Sequence, residues 1–187
     1  MPDIFFGKVS SILNIYTIQY KGLKVGSHSF EFEINDKFFK EYPEGEIERG
    51  NLVANVQLLK HSTMLEFFID ITGEVEVVCD RCLEPFNLPI EFSGRLIVKI
   101  GNDEVSDNDE LWVVSENEFE VNIAQYLYES ICLSLPISRY HGIEGSNEND
   151  CNPQMLNRIV TVGSIEPKTN GTTDPRWDIL KNLKKKN

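Results

Sequence analysis

The sequence predicts an α+β fold, an antiparallel β-sheet or open barrel of hairpins packed by a helix, with a long loop and a C-terminal helix. Three observations predict it. Residues 14–100 carry apolar residues at period two, in runs separated by turn signals. Near Asn122 the period changes to 3.6. The final stretch, "DPRWDILKNLKKK", opens with a capping Asp174 and a first-turn Pro175.

In chain order, "IYTIQY" reads as a first strand and "KGLKVG" as the turn after it. In "SHSFEFEI", Phe30, Phe32 and Ile34 alternate with Glu31 and Glu33, the period of a half-buried strand. "DKFFKEY" reads as a helical turn stopped near Pro43. Three β-rich runs follow: "NLVANVQLLK", "TMLEFFIDITGEVEVVC" and "FNLPIEFSGRLIVKI". "HS" before Thr63 is a hairpin turn, and "DRCLEP" connects the second run to the third. Residues 101–120 hold eight acidic residues and no basic one, and residues 101–118 read as a solvated acidic loop. Their spacing does not match a twelve-residue Ca²⁺ loop.

Residues 122–135 read as a helix capped by Asn122, with an apolar face of Ala124, Leu127, Tyr128, Ile131 and Leu135. Pro136 ends it, and Cys132 beside that face reads as a buried core thiol. Residues 139–173 form a long loop rich in Gly, Asn, Ser, Thr and Pro, with a short helix over "PQMLNRIV". Residues 174–186 form a basic helix with an apolar stripe of Trp177, Leu180 and Leu183. Together residues 1–187 read as one domain.

Composition narrows the function classes. With 18 basic against 30 acidic residues, the net charge is −12. That charge repels a nucleic-acid backbone at long range and favours basic partners. Four cysteines in 187 residues are too few for a disulfide scaffold. No apolar run approaches the roughly 18 residues of a membrane span, and the N-terminal residues carry no secretory pattern. A cytoplasmic protein with reduced thiols, no membrane partner and no small-molecule substrate is expected. The chain lacks a Gly-rich phosphate loop, a G-x-S-x-G elbow and an H-E-x-x-H motif. His28 and His61 fall in or beside turns and read as solvated. With no nucleophile placed beside a base, the chain reads as a non-enzyme.

Three ordered pieces, "VCDRCLEPF", "LYESICLSLPISRYH" and "DPRWDILKNLKKK", resemble the YceD family, also called large ribosomal RNA subunit accumulation protein. The resemblance covers roughly residues 70–187 and rests on the C-x-x-C-L-x-P-F turn, the helix ending in Leu-x-Leu-Pro and the Asp-Pro-Arg opening of the last helix. It implies a role in accumulation of large-subunit ribosomal RNA; the acidic body, the basic last helix and the lack of a catalytic set add the expected mode, a ribosome-biogenesis factor that binds a ribosomal protein or an rRNA precursor. The alternative is a zinc-stabilised interaction or chaperone module not tied to the ribosome. Many members carry a cysteine five residues after the proline of Leu-x-Leu-Pro; here that position is His141.

Cys79 and Cys82 then have three readings. With His141 and Cys151 they make a thiolate and imidazole set suited to one structural Zn²⁺. Alternatively they are inert reduced thiols. A redox pair is the third reading, disfavoured because reactive C-x-x-C pairs open a helix, whereas this pair follows a strand with Asp80 and Glu84 raising the thiol pKa. For partner contact the candidates are Arg176, Lys181, Lys184, Lys185 and Lys186, a local +4 over residues 176–187. The same charges also suit a helix C-terminus.

Overall fold

A computed structural model describes residues 12–101, 111–143 and 150–156. Its centre is an open five-stranded sheet in the order β2-β3-β4-β5-β6, with β2 (Gly26–Ile34), β3 (Gly50–Lys60), β4 (Met64–Val78), β5 (Pro85–Ile100) and β6 (Leu111–Val114). The first four strands pair antiparallel, as their alternation and short connections predict. The β3–β4 turn is closed by His61 N–H donating to the Met64 carbonyl at 2.9 Å.

The sheet has one buried and one wet face, which is what period-two alternation encodes. Leu65, Phe67, Ile69, Ile71, Val75 and Val77 of β4 point into the core. Register places Glu31, Asp70 and Glu74 on the opposite, exposed face. Gly73 faces the core at φ 147°, and a Cβ there would overlap the Asn51 carbonyl oxygen and Leu52 Cα. Only glycine meets both conditions.

The core face is covered by α1 (Asp36–Phe39) and α2 (Ala124–Ser134). Asn35 caps α1 by accepting from Lys37 N–H at 3.0 Å. On α2, Leu127 and Ile131 are fully buried, while Leu135 is only half-buried because Pro136 turns the chain into an extended path at that residue. Tyr126 of α2 meets Phe92 edge-on at 6.4 Å, and Tyr128 stacks on Tyr42 at 3.9 Å.

Four local expectations are corrected. "IYTIQY" is not a full strand: Leu13–Tyr16 is a 3-10 turn, and only β1 (Thr17–Ile18) pairs, with β7 (Val121–Asn122). Tyr16, Ile18 and Tyr20 do alternate and are buried, but a two-residue partner supports no longer ladder. The stretch 101–118 is not all loop, since Leu111–Val114 pairs parallel to β5; its β-forming residues lie among acids that dominated the composition. The helix starts at Ala124, not at residue 122; the Asn122 side chain nevertheless accepts from Ala124 N–H at 2.9 Å. Cys132 is half-buried rather than enclosed in the core. The C-terminal helix expected over 174–186 lies outside the described residues.

Candidate metal centre

The β4–β5 hairpin is joined by six residues, 79–84, in a loop that folds back on Cys79. Cys79 N–H donates to the Glu84 carbonyl and Leu83 N–H donates to the Cys79 carbonyl, each at 2.9 Å. Closing so tight a loop puts Leu83 in the left-handed region at φ 61°. Pro85 follows as the first residue of β5, where its missing N–H costs no ladder bond. The result points both Cys79 and Cys82 inward, 0% and 2% exposed.

The other half comes from the chain beyond α2. After Pro136 the backbone returns to the hairpin, and Asp80 and Arg139 exchange two hydrogen bonds, Asp80 N–H to the Arg139 carbonyl at 2.7 Å and Arg139 N–H to Asp80 Oδ2 at 2.6 Å. His141 follows and is buried, its ring 4.7 Å from that of Phe86. Gly142, at φ 99°, turns the chain immediately after it. Cys151 is buried just before α3 (Pro153–Leu156), and Asn152 beside it donates to Glu84 Oε1 at 2.7 Å.

The ligand atoms of Cys79, Cys82, His141 and Cys151 lie within 4.8 Å of one another. Cys79 Sγ and Cys151 Sγ are 3.8 Å apart, and His141 Nδ1 is 3.5 Å from Cys82 Sγ and 3.4 Å from Cys151 Sγ. A tetrahedral Zn²⁺ with bonds of ~2.3 Å to sulfur and ~2.0–2.1 Å to nitrogen has edges of roughly 3.8 Å between sulfurs and roughly 3.6 Å between sulfur and nitrogen. Three of the six edges, at 3.8, 3.5 and 3.4 Å, are close to those values. A Zn²⁺ held by all four would have no position left for a substrate, the pattern of a structural rather than a catalytic centre.

The electrostatics also suit a cation. Burial raises the Cys79 thiol, but backbone N–H groups of Cys82, His141 and Arg81 point at its sulfur and outweigh that, bringing the pKa down to about 6. The expectation that Asp80 and Glu84 keep this thiol high is thereby corrected: the N–H groups on the sulfur decide its pKa, while the two carboxylates bond Arg139 N–H and Asn152. Cys151 is pushed the other way, to about 11, by burial and by the neighbouring sulfurs of Cys79 and Cys82. A divalent ion among the sulfurs would relieve the repulsion that raises Cys151.

Cys132 is not in the cluster; burial raises its thiol, which bonds the Tyr128 side chain. His28 Nε2 contacts the Lys24 carbonyl at 2.8 Å, and His61 sits 3.4 Å from Glu66. Arg176, Lys181, Lys184, Lys185 and Lys186 lie outside the described residues. Sequence reasoning missed Arg81 and Asn152 beside the cluster and the hydrogen bonds that Asp80 and Glu84 make there; the one signal for them was their position beside the candidate ligands.

A family model described as large ribosomal RNA subunit accumulation protein YceD matches residues 68–184, a span that contains all four cluster residues. No curated protein and no solved structure matches the chain.

Proposed function

Because the chain belongs to the YceD family, described as large ribosomal RNA subunit accumulation proteins, we propose that it supports accumulation of large-subunit ribosomal RNA by binding rather than by chemistry. The partner is a ribosomal protein or an rRNA precursor in the cytoplasm, and one structural Zn²⁺ is held by Cys79, Cys82, His141 and Cys151. The family match carries this reading. The closed geometry of the cluster supports the mode, since a site with four protein ligands stabilises a fold and leaves no coordination position for a reactant. The net charge of −12 supports a basic protein partner, while Arg176, Lys181 and Lys184–Lys186 supply the local positive charge a phosphate backbone requires.

Among the described residues no helix is long and apolar enough to cross a membrane. Depleting the protein from cells and measuring the ratio of large- to small-subunit rRNA tests the proposal; the ratio falls if it is right. An unchanged ratio transfers the protein to the alternative, a zinc-stabilised interaction or chaperone module unconnected with the ribosome. Replacing Lys184, Lys185 and Lys186 by Gln is expected to weaken co-sedimentation with large-subunit precursors without lowering the melting temperature. Where the contact is to RNA, the steepness of log K against log salt falls by roughly two to three for three lost phosphate contacts.

A further inference from the structure

His141 is 59 residues from Cys82; its ring packs on Phe86, and the backbone that delivers it is fixed in addition by contacts to the hairpin. The two residues between the cysteines address the two residues that precede His141. Asp80 makes the paired bonds to the Arg139 backbone, at 2.7 and 2.6 Å. The Arg81 guanidinium lies over the Tyr140 ring, 3.9 Å from its centroid. Arg139 is also held from its far end, where Nη2 meets Glu46 Oε2 at 2.6 Å. Residues 139 and 140 are therefore gripped on the hairpin one step before the ligand.

We propose that Asp80 is a positioning residue of the metal centre: its carboxylate, accepting from the Arg139 N–H beside the backbone bond and seconded by Arg81 on Tyr140, sets the path that delivers His141 Nδ1 to the sulfurs of Cys82 and Cys151. The inference rests on the zinc reading above. Asp80 is exposed and none of its atoms belongs to the ligand set, so it acts on the metal only through the chain it holds. Removing such a supporting partner typically weakens metal affinity about 10–100-fold. The bond it accepts comes from a backbone N–H, and an amide oxygen at the same place also accepts it.

The test uses the full chain loaded with Zn²⁺ or Co²⁺. Zinc affinity is measured by chelator competition for the native protein, Asp80→Ala and Asp80→Asn, together with the melting temperature of each metal-free form. Asp80→Ala is expected to bind Zn²⁺ about tenfold or more weakly, and Asp80→Asn to stay within about threefold of native. The metal-free melting temperatures should be equal. With Co²⁺, Asp80→Ala should keep the intense sulfur-to-metal charge-transfer bands and shift the weaker ligand-field bands, because the imidazole alone is displaced. Native affinity in Asp80→Ala overturns the inference while leaving the zinc reading intact. An Asp80→Asn protein as weak as Asp80→Ala makes the effect one of charge and overturns it also, as does a lowered metal-free melting temperature, which marks a general structural role. A native protein that binds neither ion removes the zinc reading itself.

Discussion

The sulfurs of Cys79 and Cys151 lie 3.8 Å apart although 72 positions separate them in the chain. That contact holds a hairpin tip and the start of α3 together through atoms that repel once ionised, so the metal is expected to be the stabilising element. Purified protein should carry about one Zn²⁺ per chain, and Cys79→Ser should lose it. Of the four thiols, only Cys132 should react with a thiol reagent while the metal is bound, and chelation should expose the other three and lower the melting temperature. Equal reactivity of all four before and after chelation would count for inert thiols.

Leu83 holds a left-handed backbone and is 64% exposed, so its side chain contributes little burial to offset the strain. A non-glycine residue there costs roughly 1–2 kcal/mol, of which glycine recovers part after its own chain-entropy cost. Leu83→Gly is expected to raise stability by up to about 1 kcal/mol, and Leu83→Val to lower it by about as much. Denaturant titration distinguishes the two; a destabilised glycine variant would contradict the backbone account.

Gly73→Ala should be severe. It adds a methyl group against the Asn51 carbonyl and Leu52 Cα at a backbone angle that L-residues avoid. A loss of about 2–4 kcal/mol is expected, visible as a shifted denaturation midpoint with unchanged slope. Gly22→Ala, where nothing lies within 4 Å, is the matched control and should be near neutral.

Alkaline pH should unfold the protein through its tyrosines. Burial first, then the Glu33 charge, pushes Tyr16 up to about 12, and burial chiefly pushes Tyr128 to about 12; Tyr42 is raised as well. In the unfolded chain phenols ionise near ~10. The folded state therefore favours the neutral phenol. This stability is fully present below about pH 10 and is lost as pH rises through about 12. The melting temperature should fall across that window, with phenolate absorbance appearing together with unfolding. Gradual ionisation of all six tyrosines near pH 10 in an intact fold would contradict this.

Much of the sheet was legible because alternation is a local signal. Phe30, Phe32 and Ile34 face inward along β2, and β3, β4 and β5 begin and end within about two residues of their apolar runs. β1 was read at its place but too long, and β7 was not legible, since two-residue strands are shorter than any periodic window. Nor was β6, whose four residues are surrounded by acids. The four cluster residues could be gathered from residue type and spacing because thiolate and imidazole have few competing roles. The contacts of Asp80 with Arg139 and Arg81 with Tyr140 could not, because a charged residue in a turn looks the same whether or not a distant backbone meets it.

The order of the sheet also bears on how copies of this chain behave together. Among the described residues no strand other than β3 pairs with the nine-residue β2, although the Tyr16 hydroxyl donates to the Glu33 carbonyl at 2.8 Å. Such an edge invites a second molecule to extend the sheet. A two-fold antiparallel docking centred on Phe32 would set Glu31 of one copy opposite Glu33 of the other, twice, with side chains roughly 5 Å apart. Four carboxylates would meet across a junction that gains little but backbone bonds. Self-association along this edge is opposed by its own side chains, and neutralising Glu31 and Glu33 would remove that guard against aggregation.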